Sequence, residues 1–235
     1  MVGEKKALDC FSFPTTKGFM IMQNVTYFYT GQIFSIAKEA YNKSISQSQL
    51  NKSSDDALVS IIFAVLTLES VMSQVINTAK FFTEMSPKID MFADFLKELD
   101  DARVSLKDKY FLAHWLLCEK KLNRDTKLYQ DFSLLVDIRN ALVHLKPDKV
   151  SVKNKIDNLL KRLNDRKLLS KGFVPAYKSG MRAHWVFYIS NSNVAKWACN
   201  TAASMIGGFW KETQDDKVKQ FFETIAGVRS FKPLD

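Results

Sequence analysis

The segment from Ala57 to Phe82 places apolar side chains on nearly every side of one helix, and this constrains the fold more than any other feature of the chain. Its apolar members are Leu58, Val59, Ile61, Ile62, Phe63, Val65, Leu66, Leu68, Val71, Met72, Val75 and Ile76. A helix that is apolar all round is stable in water only when other elements cover it. We therefore predict that this helix is central to a helical bundle.

The same segment is too short in its uninterrupted apolar part to cross a membrane. About a dozen residues precede Glu69, whereas a bilayer requires about 20 predominantly apolar residues. We therefore predict a core helix and no membrane contact.

Helical spacing of apolar residues recurs along the chain, so we predict an all-α multi-helix bundle. The further predicted helices cover residues 23–46, 87–100, 105–121, 126–146, 148–169, 191–210 and 215–226. Gly172, Pro175 and Gly180 interrupt this pattern, and the aromatic stretch 185–188 predicts a short β-segment within 172–189. We expect residues 1–235 to form a single helical domain. Its motif-bearing core covers 24–170, and a C-terminal helical extension covers 171–235.

Capping residues mark several predicted helix starts. Ser105 is followed three residues later by Asp108, which is the spacing of a capping box. Asn191 or Asn193 suits the start of the helix that follows the aromatic stretch. The polar loop 44–56 ends in Ser and Asp residues that suit the start of the central helix.

Cysteine content and the first residues favour a cytoplasmic protein. Cys10, Cys118 and Cys199 are odd in number, far apart and not arranged as close metal-binding pairs. Residues 1–19 contain no apolar run of signal-peptide length followed by a cleavage site. We expect a reduced compartment, no metal and no cofactor.

The string Arg139-Asn140-Ala141-Leu142-Val143-His144 lies near the end of an apolar helix that Pro147 stops. Arginine binds phosphate with a planar, permanently charged fork. Histidine is the side chain whose ordinary pKa lies nearest neutrality, so it can move protons at physiological pH. These residue types are the ones that a metal-free ribonuclease requires.

Helical geometry separates the two ends of this motif. At about 100° per residue, Ser133, Asp137, Asn140 and His144 share the face away from the buried stripe. Arg139 lies on the flank of the stripe, roughly 140° around the axis from His144. One helix therefore does not bring both side chains to a single phosphate without bending, and a second copy of the helix would supply the missing partner.

The motif resembles the signature of the HEPN superfamily, in which an Arg is followed after four to six residues by a His, often with a polar residue just after the Arg. The resemblance implies a helical fold and a ribonuclease site in a cleft between two motif helices, which come from two subunits in small members. It therefore implies a homodimer. It also implies a prokaryotic toxin or antiviral defence protein that halts growth by cleaving RNA, with an antitoxin or regulatory protein as a further partner. Lys146 stands where one toxin subclass carries Tyr, which argues against that subclass.

Glu69 is anomalous because it lies in the middle of the apolar central helix. An unpaired carboxylate removed from water costs several kcal/mol unless it takes up a proton or finds a cation. We predict that Arg139 is its partner, and many HEPN proteins likewise carry a Glu inside an upstream apolar helix. The alternative is that Glu69 and Ser73 form a thin polar strip that faces water.

Basic residues follow the motif directly. The segment from Lys146 to Lys171 contains nine basic residues against three Asp, within a chain of formal charge +9. Its apolar stripe leaves one face basic, and we expect Arg166 and Lys167 to be mostly exposed there. The residues that we predict to contact RNA are Lys146, Lys149, Lys153, Lys155, Lys161 and Arg162. The alternative is a solvated basic helix without a partner.

Three functions remain open at the level of sequence. The first is a metal-independent endoribonuclease with Arg139, Asn140, His144 and Glu69 in its catalytic site, which leaves 2′,3′-cyclic phosphate ends. The second is a non-catalytic helical module that binds RNA or a protein. The third is a peripheral membrane protein, which we rank last because the basic helix has no Trp or Phe at the edge of its apolar stripe. The alternative for Arg139 and His144 is two surface residues of a core-packing helix, and His114 and His184 are best interpreted as core or surface histidines.

Overall fold

The computed structural model describes residues 29–49, 54–79, 87–144, 150–169, 185–225 and 231–235. Within these ranges the chain is all-α, as predicted, and no strand occurs. The helices are α1 (Thr30–Gln49), α2 (Asp55–Ala79), α3 (Pro87–Asp101), α4 (Leu106–Cys118), α5 (Lys127–Val143), α6 (Val150–Asp165), α7 (Trp185–Ile189), α8 (Ser192–Glu212) and α9 (Asp216–Ile225).

Helix α2 is the centre of the bundle. It packs most extensively against α1 and α8, and it also contacts α3 and α5. Ile61, Leu68 and Val71 are essentially inaccessible to solvent. The expectation that this segment is too short to span a membrane is wrong, because residues 55–74 are long and apolar enough by length and composition. Half of this stretch is nevertheless buried inside the fold. The prediction of a central core helix is confirmed.

Side chains cap the helices at the predicted positions. The Ser54 hydroxyl accepts from the backbone N–H of Ala57 at the start of α2. Ser105 accepts from the backbone N–H of Asp108 at the start of α4, and Asn191, not Asn193, accepts from the backbone N–H of Val194 at the start of α8. Each cap satisfies one of the backbone donors that a helix N-terminus leaves unpaired.

The prediction of a short strand over 185–188 is wrong, because these residues belong to α7. Trp185 and Ile189 are both buried, which is the i, i+4 spacing of one helical face. The backbone N–H and the hydroxyl of Ser190 both donate to the carbonyl of Val186 and close the turn. Burial of this face overrides the strand preference of aromatic residues. Residues 172–184 of the predicted β-segment lie outside the described ranges.

Both parts of the chain contribute to one hydrophobic core. Leu135 and Ile138 of α5 belong to the same buried cluster as Ala198 and Ile206 of α8. The predicted boundary between a core and an extension, at residue 170, lies outside the described ranges.

Two carboxylates of α5 join it to its neighbours. Asp131, which is buried, accepts from Arg166 in the turn after α6 and from Lys127. Asp137 forms ion pairs with Lys107 of α4 at 2.6 Å and with Arg162 of α6 at 3.4 Å. The expectation that Arg166 is mostly exposed is wrong, because only 18% of its side chain is accessible. That expectation rests on the periodicity of α6 alone. The periodicity of one helix does not reveal a carboxylate on another helix.

We predict that Asp131 makes the stability of the fold sensitive to acid. Burial raises the pKa of its carboxyl, but hydrogen bonds and the charges of Lys127 and Arg166 lower it by more, so the net shift is downward. A depressed pKa contributes stability above the ordinary value of about 4, and this stability is lost as the pH falls through the folded-state value. Asp131→Asn should lower the free energy of unfolding at pH 7 by about 1–2 kcal/mol and flatten its decline below pH 4. Urea titrations across pH 2–7 measure both effects.

Asp216→Asn is the matched control, because it removes the same charge from a side chain that is 98% exposed. It should leave the acid limb of the stability profile unchanged. An equally steep acid limb in Asp131→Asn and the wild type would contradict the assignment to Asp131.

Candidate active site

Arg139 of α5 and Glu69 of α2 form an ion pair, which confirms the predicted pairing. The distance between Arg139 Nη2 and Glu69 Oε2 is 2.9 Å. The side chains retain 20% and 33% of their exposure, respectively, so the pair lies at the edge of the core. A charge-assisted hydrogen bond in partial burial is stronger than a surface pair because water screens it less. Glu69 therefore has a cationic partner, although a third of its side chain also contacts water.

The guanidinium also fixes the neighbouring amide. Arg139 Nη1 donates to Asn140 Oδ1 at 3.1 Å, so the amide NH₂ group of Asn140 remains a potential donor to other groups. Arg139 Nε is buried and has no acceptor among the described residues. Glu69, Arg139 and Asn140 therefore form one connected polar chain from α2 to the surface of α5.

This polar chain borders a cavity of about 430 Å³. The lining residues are Glu69, Ser105, Leu106, Lys107, Val136, Asp137, Arg139 and Asn140. The cavity lies where α2, the start of α4 and the second half of α5 meet. Its charged groups are two cation–anion pairs, Arg139 with Glu69 and Lys107 with Asp137.

Ser105 and Lys107 are site residues that sequence reasoning missed. The capping box identified Ser105 as a helix start, but nothing in the sequence placed that start beside α5. Asp137 was predicted to share a face with Asn140, and both line the cavity. The missing information was the packing of α4 against α5.

His144 lies at the very end of α5 and does not line this cavity. Its backbone N–H donates to the carbonyl of Asn140 at 3.0 Å and closes the last turn. Its side chain is exposed. Within the described part of the chain, Arg139 and His144 form no hydrogen bond with each other, which agrees with their predicted separation around the helix axis. Among the described residues, the imidazole of His144 has no hydrogen-bond or ion-pair partner.

The predicted RNA-binding face is only partly described. Lys155 and Lys161 of α6 are exposed. Arg162 is bound to Asp137 and also donates to the backbone carbonyl of Gln130, so part of its charge is used within the fold. Lys146 and Lys149 lie outside the described ranges, and the side chain of Lys153 is not described.

His114 lies in the core, which is one of the two positions, core or surface, that the sequence left open. It is 4% exposed, with Nδ1 at 2.8 Å from the carbonyl oxygen of Lys120 and Nε2 at 3.0 Å from Glu212 Oε2. These contacts join the end of α4 to the end of α8. His184 lies outside the described ranges. Among the described residues, no group of three or more His, Cys, Asp or Glu side chains is placed to hold a metal ion.

Cys118 and Cys199 are buried free thiols. Burial raises the pKa of each to about 11. Because the thiolate is the nucleophilic form, neither thiol suits catalysis near neutral pH.

Comparisons of the chain with protein families, curated proteins and solved structures found no match.

We predict that Glu69 and Arg139 are energetically coupled. Arg139→Ala should lower the free energy of unfolding by about 1–3 kcal/mol, because it leaves the Glu69 carboxylate without a cation. The double variant Glu69→Gln, Arg139→Ala should lose less than the sum of the single losses. A double-mutant cycle from urea unfolding measures the coupling, which should be about 1–2 kcal/mol.

The exposed pair Lys43 and Glu39 on α1 provides a matched control, since its atoms are also 2.9 Å apart but its side chains are at least 60% exposed. Its coupling should be below about 0.5 kcal/mol. Equal coupling in the two pairs would mean that partial burial adds nothing to the Glu69–Arg139 interaction.

Proposed function

We propose that this protein is a metal-independent endoribonuclease. The observation that supports it best is the placement of Arg139, which Glu69 and Asn140 hold beside an open cavity while His144 stays exposed one turn further along the same helix. A guanidinium that is fixed in advance stabilises developing charge without reorganising during the reaction. The resemblance of the motif to that of HEPN ribonucleases supports the same function.

In the proposed reaction, the 2′-hydroxyl of the RNA attacks the adjacent phosphorus. His144 acts as general base and takes the 2′-hydroxyl proton. Arg139 stabilises the negative charge that builds on the phosphoryl oxygens, and the NH₂ group of Asn140 orients a phosphate oxygen or the imidazole. The bond from phosphorus to the 5′-oxygen breaks, and an imidazolium returns a proton to that oxygen. The products are a 2′,3′-cyclic phosphate and a 5′-hydroxyl, and DNA is not cleaved because it lacks the attacking hydroxyl.

We infer that the complete site forms between two copies of the chain. Arg139 borders the cavity and His144 does not, so one copy supplies the guanidinium and the other supplies the imidazole. A twofold homodimer then contains two equivalent sites. The exposed Val143, at 53% of its full accessibility, lies next to His144 and would be covered by such a contact.

The exposed lysines of α6 support RNA as the substrate class. Lys155 and Lys161 follow the motif in the chain, and both are exposed to solvent. Exposed lysines attract the phosphate backbone without reading sequence. The resemblance further supports a cytoplasmic toxin or antiviral effector that an antitoxin or regulatory protein restrains.

The first test is cleavage of labelled RNA by purified protein in EDTA. We expect cyclic-phosphate ends from RNA and no cleavage of DNA of the same sequence. His144→Ala should reduce the rate by about 10²–10⁴-fold, which is the usual contribution of acid–base catalysis, while leaving the melting temperature unchanged because the side chain is exposed. Lys121→Ala, a change at another exposed residue, is the control and should cleave at the wild-type rate.

A non-catalytic RNA-binding module is the second candidate. Both terminal nitrogens of Arg139 donate hydrogen bonds within the fold, one to Asn140 and one to Glu69. A purely structural arginine would show the same contacts, and this favours the non-catalytic module. The same assay separates the two functions. RNA that is bound but never cut, by the wild type as well as by His144→Ala, would select the module.

Mixing two inactive variants tests whether two copies share the site. Arg139→Lys keeps a cation for Glu69 but lacks the planar fork, and His144→Ala lacks the imidazole. If each site takes Arg139 from one copy and His144 from the other, a mixed dimer contains one intact site, and mixing should restore roughly a quarter of the wild-type activity. The measurement is the cleavage rate after the two variants are unfolded, mixed and refolded together. Absence of any restored activity would place both residues of each site in one copy.

A further inference from the structure

A second cavity, of about 760 Å³, lies at the opposite end of α5 from the motif. It is an open groove between the start of α5, the turn that follows α6 and α8. Its lining residues are Lys127, Leu128, Asp131, Lys167, Leu168, Asn193, Lys196, Trp197, Asn200, Thr201 and Ser204. This volume falls in the range of about 300–1,000 Å³ that small-molecule sites occupy.

The charged groups of this cavity favour an anion. Three of the lining residues are lysines, and Asp131 is the one carboxylate among them. Asp131 already accepts from Lys127 and Arg166, so its charge is matched within the fold. Lys196 donates to the main-chain oxygen of Asp235. Lys167 forms no ion pair with any residue of the described ranges.

The rest of the lining favours a ligand with an apolar body. Leu128, Leu168 and Trp197 form an apolar wall, and Asn193 and Ser204 add hydrogen-bonding groups beside it. Inorganic phosphate would leave this wall uncovered, whereas an aromatic ring would pack against it. Asn200 is less available to a ligand, because its side chain binds the backbone of Leu234 at 2.6 Å and 3.1 Å.

We propose that this cavity binds a small organic phosphate. The phosphate group contacts the ammonium groups of Lys127, Lys167 and Lys196, and a ring-sized apolar body packs against the wall formed by Leu128, Leu168 and Trp197. A phosphate monoester carries close to two negative charges at pH 7. A ligand of that charge suits three ammonium groups better than a ligand with a single carboxylate. The proposal concerns a site separate from the motif and does not depend on the ribonuclease function.

The backbone conformation at Lys167 suggests a glycine substitution as the test variant. Lys167 has φ of 59°, in the left-handed region that favours glycine. Its N–H donates to the carbonyl of Asn164, and the next N–H, of Leu168, donates to Leu163, which is the Schellman pattern at a helix end. Lys167→Gly should therefore relieve backbone strain while it removes one ammonium group from the cavity.

Arg103 offers a matched control at the end of α3. It also has a positive φ, of 54°, and the N–H that follows it donates to Leu99 in the same pattern. It is exposed and does not line the cavity. Arg103→Gly removes one cation and the same kind of strain, so the two variants differ only in their distance from the proposed site.

The experiment is calorimetric titration of the full chain with phenyl phosphate. The wild type should bind with Kd below about 1 mM. Lys167→Gly should raise its melting temperature by about 2 °C yet weaken binding by about tenfold. Arg103→Gly should gain similar thermal stability and bind as the wild type does. Benzoate and inorganic phosphate should each bind at least tenfold more weakly than phenyl phosphate.

Four results would overturn the proposal. The first is that phenyl phosphate shows no saturable binding, and the second is that Lys167→Gly and Arg103→Gly lose affinity equally. The third is that benzoate binds as tightly as phenyl phosphate. The fourth is that an RNA oligonucleotide displaces phenyl phosphate. The last result would make the cavity part of a path for RNA. None of these measurements uses RNA cleavage. A negative result for the ligand site is therefore distinguishable from a negative result for the proposed ribonuclease function.

Discussion

The burial of α2 is the constraint on which the rest of the structure depends. A helix that is apolar on nearly every side must be covered by several others, and α1, α3, α5 and α8 cover it here. One carboxylate, that of Glu69, is carried into this environment and needs a cation close by. Arg139 supplies that cation. This ion pair joins α5 to α2 and forms part of the polar edge where the candidate site lies.

Helix α5 is shared between the core and two polar regions. Phe132, Leu135 and Ile138 are fully buried and attach it to the core. Its carboxylates at 131 and 137 bind basic residues of α4, α6 and the turn after α6. These ion pairs neutralise part of the positive charge of the basic segment within the fold. The positive field that reaches solvent therefore comes more from lysines such as Lys155 and Lys161 than from the arginines of the same segment.

Sequence reasoning succeeded where the decisive physics is local or where a single group demands a partner. Helical periodicity gave the all-α class, and side-chain caps marked the starts of α2, α4 and α8. The cost of an isolated buried carboxylate predicted the link between Glu69 and Arg139 across 70 positions. It failed at residues 185–188, where burial of one helical face outweighed aromatic strand preference. It also failed at Arg166, whose partner lies on another helix.

By itself, the sequence determined the helical class, the central position of α2 and the separation of Arg139 from His144 around one helix, because each follows from periodicity. It favoured the pairing of Glu69 with Arg139 because of the energetics of one charge, and the structure decided that pairing. Only the tertiary structure decided that Ser105 and Lys107 line the cavity beside Arg139. It also decided that three lysines from distant segments meet around a second cavity at the other end of α5. Such groupings depend on how helices cross, and crossing geometry arises from side-chain packing between segments that share no local pattern.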